Sequence, residues 1–296
     1  MALNRVLLIG AAGNLGSLIL KYLLSSPSKF KVTVLTRESS TSKFPSTVTV
    51  SKVADDYPAA QLVEAYKGID VVISAISMMG MHEQYKFIDA CLAAKVKRYI
   101  PTEYGLNDLP DWLVELRPMF RIKHDVRDYL VSKEKEGLDW TCIVCNVFFE
   151  MGVRSGFFHF FWPDKKAVLI GDAETKWVAT TLDTVALAVV KAIEKDKATR
   201  NKLLLIQDFR TSQKEILEAI EEKTGKWNVE TVPYEKWLEE TKEQARNGDD
   251  SALSKLTFGT VLPGGDWEKR KEFANNLLEL PTKSFKQAME GVLQGV

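Results

Sequence analysis

Three glycines in Gly10-Ala11-Ala12-Gly13-Asn14-Leu15-Gly16 stand between two patterned stretches. Before them is a short apolar run, Arg5–Ile9. After them Leu15, Leu18, Ile19, Tyr22 and Leu23 recur at helical spacing. The spacing is GxxGxxG, and its chemistry is that of a phosphate cradle. The first glycine permits a tight turn. The second lets the backbone approach a pyrophosphate, and the third lets a helix pack close to a strand. Phosphates then meet free N–H groups at the helix N-terminus. Gly10, Ala12, Gly13, Asn14, Leu15 and Gly16 are therefore assigned to dinucleotide binding, against the alternative of a merely structural turn.

The next apolar run ends in Leu35-Thr36-Arg37. An acidic residue about 20 positions beyond the glycine loop would hold a ribose 2′-hydroxyl and favour NAD. Thr36 occupies that place, and no acid follows until Glu38. Arg37 suits a 2′-phosphate, which a guanidinium can bind through two parallel hydrogen bonds. Lys43 offers a second charge. Together they favour NADPH; the alternative is a pair of solvated surface charges.

These residues need a scaffold, and the first half of the chain supplies one. Apolar, β-branched runs at Arg5–Ile9, Lys31–Leu35, Val48–Val53, Asp70–Ala75, Val96–Ile100 and Trp140–Cys145 predict six strands. Helical spacing predicts helices over Leu15–Leu24, Ala59–Tyr66, Gln84–Ala94 and Pro118–Lys133. Such alternation means βαβ units in an α/β, doubly wound parallel sheet of Rossmann type. A dinucleotide-binding domain is expected over 1–150 and a smaller substrate-binding region over 151–296. Within the latter, Lys202–Ile206 is expected to rejoin the sheet as a seventh strand. Helices are expected at Thr184–Ile193, Ser212–Lys223, Tyr234–Gln244 and near Pro281–Leu293, with Glu230–Val232 extended. Asn247–Gly265 reads as a loop, either a mobile flap or plain surface. The aromatics of Gly152–Pro163 read as core or as an apolar substrate wall.

Composition sets outer limits. The 296 residues are 45% hydrophobic and 27% charged, with 40 basic residues against 40 acidic ones. That length can bury a substantial core. An even balance gives no general pull toward nucleic acid or an anionic membrane. No apolar stretch approaches the roughly 20 residues of a membrane helix. The N-terminal run is broken at once by the glycine loop, unlike a signal peptide, and the terminal LQGV spells no familiar address. Three cysteines make no disulfide framework. Cys142 and Cys145 spell CxxC, yet three apart on a strand they face opposite sides. His82, His124 and His159 show no metal spacing. The expectation is a cytoplasmic, soluble protein, monomeric or homodimeric, acting on a small molecule with no nucleic acid, membrane or metal involved.

At this point a resemblance enters. GAAGNLG, Thr36-Arg37, DVVISA and above all VKRYIPTEYG, residues 96–105, are similar to the isoflavone reductase and pinoresinol–lariciresinol reductase group. That group lies in the NmrA-like branch of atypical short-chain dehydrogenases. The likeness runs from the N-terminus to about residue 235 and includes WTCIVCNVFF and Lys202–Gly225. The family usually has phenylalanine where this chain has Tyr104, and the tail beyond 235 matches loosely. The resemblance implies an extended Rossmann fold, NADPH as cofactor, and reduction of small, often aromatic, molecules. It also implies a catalytic lysine on the helix after the fifth strand, which falls on Lys123 in Phe120-Arg121-Ile122-Lys123.

Local chemistry bears on that lysine. On a helix from Pro118, Lys123 points with Phe120, Val126 and Leu130, an apolar face where lysine is unusual. It also lies near the sheet's C-terminal edge, where ligands sit. A lysine is an ammonium at neutral pH and could protonate a developing oxyanion. The alternative is a snorkelling side chain over apolar surface. Tyr129 and Lys133 spell the YxxxK of ordinary short-chain dehydrogenases, but stand roughly 16 Å down the helix, and Leu116 takes the place of the usual serine. Ser74, Ala75 and Ile76, with Thr102, end the fourth and fifth strands and are expected at the cofactor. Asn146 and Phe149 follow the sixth strand and are expected at the nicotinamide or substrate. Tyr104 could be a second hydroxyl donor or a packed aromatic. Asp55 or Asp56 matches an acidic family position near the adenine. The reading is a reductase passing hydride to a small aromatic or conjugated carbonyl-type substrate. The rival is a dinucleotide-binding redox sensor without turnover.

Overall fold

The computed structural model describes residues 3–294. It contains strands β1 (Arg5–Ile9), β2 (Lys31–Arg37), β3 (Thr49–Val53), β4 (Val71–Ser74), β5 (Arg98–Ile100), β6 (Asp139–Val144), β7 (Val147–Phe148), β8 (Phe160–Phe161), β9 (Lys166–Ile170), β10 (Trp177–Thr180), β11 (Lys202–Leu205), β12 (Phe209–Thr211) and β13 (Asn228–Val232). The helices are α1 (Asn14–Ser25), α2 (Ala59–Ala65), α3 (Gln84–Ala93), α4 (Asp111–Leu116), α5 (Ile122–Lys133), α6 (Phe149–Arg154), α7 (Leu182–Glu194), α8 (Asp196–Thr199), α9 (Gln213–Thr224), α10 (Tyr234–Arg246), α11 (Asp250–Gly259), α12 (Asn275–Leu278) and α13 (Phe285–Leu293).

Seven strands form the central sheet in the order β11-β6-β5-β4-β1-β2-β3, every pair parallel. Strands covered on both faces must be apolar throughout, and β4 is buried at every position. Alternate residues then serve opposite faces. Val6, Leu8 and Ile73 join the core beneath α1 and α7. Leu7, Ile9 and Val72 join the core beneath α2, α3 and α5. This is the expected doubly wound sheet. Cys142 and Cys145 are buried and free, one in each of these two cores. The chain reverses its direction of winding between β1 and β4, which opens a crevice at their carboxyl ends.

A third core holds most of the remaining elements. Phe149, Phe158, Trp177 and Phe258 are fully buried within it, and Trp237 nearly so. Two three-stranded sheets, β12-β10-β7 and β13-β9-β8, flank it. Of these short strands only β13, over the expected extended Glu230–Val232, was anticipated from the sequence. Asn247–Gly265 is not a loop throughout. Asp249 caps α11 by accepting the Ser251 N–H at 2.9 Å. The helix buries Ala252, Leu256 and Phe258, and Gly259 lies against the Trp237 ring. The predicted helix over Pro118–Lys133 is also divided: a 3₁₀ turn spans Pro118–Arg121, and α5 starts only at Ile122. Among the described residues no helix is long and apolar enough to cross a membrane.

Candidate active site

The crevice holds a cleft of about 530 Å³ at the ends of β1, β2 and β4. The glycine loop forms its floor. Gly10 has φ of +82°, and a Cβ there would stand 2.3 Å from the Ala75 carbonyl oxygen. A Cβ on Gly16 would stand 2.0 Å from the Gly10 oxygen, so only glycine lets α1 sit this close to β1. Gly13 is the N-cap of α1. No side chain caps that helix, and its first turn carries no acid. Its positive end thus faces the cleft with no acid of its own first turn beside it. Gly10, Ala12 and Gly13 line the cleft. Asn14 is exposed and Leu15 packs toward the core; neither side chain is part of the lining.

Arg37, at the end of β2, lines the cleft and forms no ion pair among the described residues. Lys43 is exposed and not part of the lining, although its neighbours Ser42 and Phe44 are. Asp55 stands on the same wall and accepts the Ser39 N–H at 3.1 Å and the Ser39 hydroxyl. Those bonds hold its carboxyl below the usual range, with the Arg37 charge adding to them.

Two of the expected cofactor contacts turn inward instead. Ser74 is fully buried, and its hydroxyl pairs with that of Thr102 at 2.9 Å. Thr102 also accepts the Ile76 N–H at 3.2 Å and donates its own N–H to Gln84 Oε1 at 2.7 Å. These hydroxyls tie the ends of β4 and β5 together, and neither residue lines the cleft, so the expectation that Ser74 and Thr102 stand at the cofactor is corrected. Ala75 and Ile76 do line the cleft.

Beyond Ile76 the chain separates this cleft from a second cavity. Ile76, Ser77, Met79 and Gly80 face the cleft, whereas Met78 faces the cavity. The cavity measures about 240 Å³ and has apolar walls that include Leu106, Leu109, Phe120, Phe148 and Phe157. Among the described residues Lys123 is the one charged member of its lining. The second residue of α5, it donates to the Glu103 carbonyl at 2.6 Å and the Tyr104 carbonyl at 3.3 Å. A Cβ on Gly105 would stand 2.8 Å from Nζ, so this glycine leaves room for the ammonium. Burial lowers the Lys123 pKa from the ordinary lysine value; the Glu103 charge opposes that shift.

Asn146 lines the same cavity. It adopts a left-handed backbone, φ +57°, and its Nδ2 donates to the Val178 carbonyl at 2.7 Å. Phe149 does not line it. That ring is fully buried and meets Phe209 and Phe285 edge to face. Phe148 is the residue in the wall, so the expectation for Phe149 is corrected by one position. Tyr104 is likewise corrected. It is buried in the core beneath α1 and α7, outside the cavity lining, and its hydroxyl meets no partner among the described residues. Burial raises its pKa. Tyr129 and Lys133 line neither space; they bond Asp89 at 2.6 Å and Glu136 at 2.9 Å. The sequence reading missed Gly105, Phe148, Met151 and Thr257 as lining residues. Only Gly105 left a local signal, as the last residue of VKRYIPTEYG.

Residues 3–248 match the NmrA-like family. Over 98% of this chain and 99% of its own length, oxidoreductase aprR of Aspergillus flavus is 35% identical. The phenylcoumaran benzylic ether reductase Betv6 of Betula pendula is 29% identical over 81% of each chain. In structure, the chain is similar to a crystal structure of isoflavone reductase, with a TM-score of 0.77 and 24% identity over 99% of each chain. It is equally similar to the binary complex of leucoanthocyanidin reductase and NADPH from Vitis vinifera, with a TM-score of 0.77, 20% identity, and coverage of 98% and 99%. Such names do not favour a redox sensor without turnover. The chain belongs to the NmrA-like family and is an oxidoreductase of its isoflavone reductase-like branch.

Proposed function

We propose that the protein is an NADPH-dependent reductase acting on a small aromatic or conjugated carbonyl-type substrate. The observation that carries this reading is Lys123: one ammonium, anchored by two backbone carbonyls, in the wall of an apolar cavity with no other charge among the described residues, next to the glycine-loop cleft.

The cleft fits the cofactor on its own terms. Gly10 and Gly16 keep a space that any Cβ would fill. The uncapped N-terminus of α1 suits a pyrophosphate. Arg37, with no carboxylate partner among the described residues, suits a 2′-phosphate. When bound, NADPH supplies the hydride. The protein's own residues do the rest. Leu106, Phe120, Phe148 and Phe157 exclude water and receive a flat apolar molecule. An engineered cavity of about 150 Å³ holds a benzene ring, so this one admits an aromatic ring with substituents. Lys123 spends two of its three N–H donors on Glu103 and Tyr104, leaving one for a substrate oxygen. In low-dielectric surroundings that donor stabilises negative charge on the oxygen far better than water would.

The test is to mix protein and NADPH with aryl ketones, quinones and enones and to follow the nicotinamide absorbance. Turnover is expected with at least one conjugated acceptor. Lys123→Ala should abolish it while leaving NADPH affinity unchanged. A Lys123→Ala protein as fast as the parent would remove the lysine from the mechanism. No turnover across the panel, with NADPH tightly bound, would overturn the reductase reading.

A further inference from the structure

Lys123 and Arg127 stand one turn apart on α5, and both converge on Glu103. Lys123 Nζ donates to the Glu103 carbonyl at 2.6 Å, and Arg127 Nη2 donates to Glu103 Oε1 at 2.7 Å. The Glu103 side chain is only 1% exposed. Arg127 makes one further, long bond to Asn107 Oδ1 at 3.4 Å, and its Nε is buried without a partner among the described residues. So a single residue at the end of β5 offers its backbone to one cation and its carboxylate to the other.

We infer that Arg127 is a positioning residue: by occupying the Glu103 carboxylate, it keeps that carboxylate off Lys123 and leaves the ammonium's third proton for the substrate. This inference rests on the catalytic reading of Lys123. The geometry explains why such a device is needed. A buried carboxylate takes the nearest available cation, because unpaired it is costly. With Arg127 absent, that cation is Lys123, already hydrogen-bonded to the backbone of the same residue. A lysine ion-paired to Glu103 keeps its charge but no longer aims a proton at the cavity.

The groups facing Nζ are few. Glu103 comes from the segment after β5, Cys145 from the end of β6, and Arg127 from α5 itself. His124 turns away, with Nε2 at 3.3 Å from the Asn107 carbonyl oxygen, and Asp125 pairs with Arg121. Of these, Glu103 favours the ammonium and Arg127 disfavours it. Removing Arg127 therefore moves the Lys123 titration upward on two counts: one repulsion is lost and one attraction tightens.

The experiment compares Arg127→Met with the double variant Glu103→Gln/Arg127→Met in the full-length protein. Lysines are labelled with ¹³C at Cε during expression and titrated by NMR without cofactor; the Lys123 signal is assigned by its absence in Lys123→Ala. In parallel, kcat and KM are measured with NADPH and the best acceptor of the panel. Arg127→Met should raise the Lys123 pKa and lower kcat by about tenfold to a hundredfold, with the KM for NADPH unchanged. The double variant, which strands no carboxylate, should bring both readouts back toward the parent values. Arg127→Met with parental titration and parental kcat would overturn the inference. So would a double variant as slow as the single one. If Arg127→Met does not fold, Arg127→Gln carries the same comparison. Failure of the catalytic reading itself is distinguishable, because there Lys123→Ala keeps full activity.

Discussion

Gly16→Ala isolates the contact that sets the cofactor cleft. The added Cβ would stand 2.0 Å from the Gly10 oxygen, 2.8 Å from its carbonyl carbon and 3.1 Å from Ala11 Cα. All three are backbone atoms, so no side chain can swing aside. Ordinary contact begins near 3.4 Å, so α1 and β1 must part by ~1 Å or more. Both are packed into the core that α1 shares with α7. Overpacking of this kind costs about 1–3 kcal/mol, and a backbone-to-backbone clash belongs at the upper end. Alanine's better helix propensity returns up to about 1 kcal/mol. The net loss is about 2 kcal/mol, or a fall in Tm of roughly 4–8 °C for a chain of this size. The same displacement carries the α1 N-terminus away from the cleft floor, so NADPH affinity should fall as well. Gly13→Ala is the control. Its Cβ would meet the Gly10 oxygen at 3.3 Å with a negative φ, so the fold should keep its Tm within about 2 °C. Differential scanning calorimetry and NADPH titration of both variants read the two effects apart. A Gly16→Ala protein that melts with the parent would refute the packing argument.

Further outcomes follow from other positions. Arg37→Ala should weaken NADPH about tenfold to a hundredfold, the value of a charge-assisted phosphate contact, and leave NADH nearly unchanged; equal losses in a binding titration would reject the phosphate assignment. The pH profile of kcat/KM should lose its high-pH limb below the ordinary lysine pKa, because burial lowers that of Lys123; a limb at or above the ordinary value would contradict this. His159 is buried among Phe161, Trp237 and Phe258, with Nε2 unpartnered, and burial lowers its pKa to about 4, aided by the Lys255 charge. The unfolded chain therefore takes up the proton first. The stability that His159 contributes is complete above pH ~6.5 and is lost as pH falls toward 4, by roughly 3 kcal/mol at most. His159→Phe should flatten that part of a denaturant-midpoint-versus-pH curve, and an unchanged slope would exclude His159 as its source.

The sheet was legible because its signals are local. A strand buried on both faces is a short apolar run, and β1, β2 and β4 fall within about two residues of their predicted limits. The glycine loop's signal is equally local: Gly16 packs against Gly10 and Ala11 of the same loop, and Gly10 reaches outside it to Ala75 and Ile76. Lys123 was placed on an apolar face by a helix counted from Pro118, and it does line the cavity although α5 begins four residues later. The misplacements cluster just past strand ends, where two-residue periodicity stops. After β6 the chain bends at Asn146 into a left-handed conformation and re-enters a different sheet as β7. That bend resets which side chains face inward, and Phe148 takes the place expected for Phe149. Ser74 and Thr102 fail for another reason: each hydroxyl satisfies the other across 28 residues of sequence, which no single strand reveals.

The two halves of the site therefore differ in how they are encoded. The cofactor half is built from the ends of parallel strands and one helix N-terminus, features with fixed geometry and strong residue preferences. In the substrate half, much of the apolar cavity's wall is assembled from Gly105, Leu106, Leu109, Phe148, Met151, Phe157 and Thr257, contributed by short elements far apart in sequence. None of these carries a periodic signal, and Thr257 lies on a helix whose flanking Asn-Gly and Pro-Gly-Gly read as loop. Substitutions in that half change the shape of the cavity while leaving the glycine loop, Arg37 and Lys123 in place. Selectivity for substrate can thus diverge on a constant cofactor-binding frame. On this account, exchanging Met151 or Phe157 should alter which acceptors of the panel are reduced, with NADPH affinity held constant in the same preparations. A change in NADPH affinity equal to the change in acceptor preference would show that the two halves are not separable.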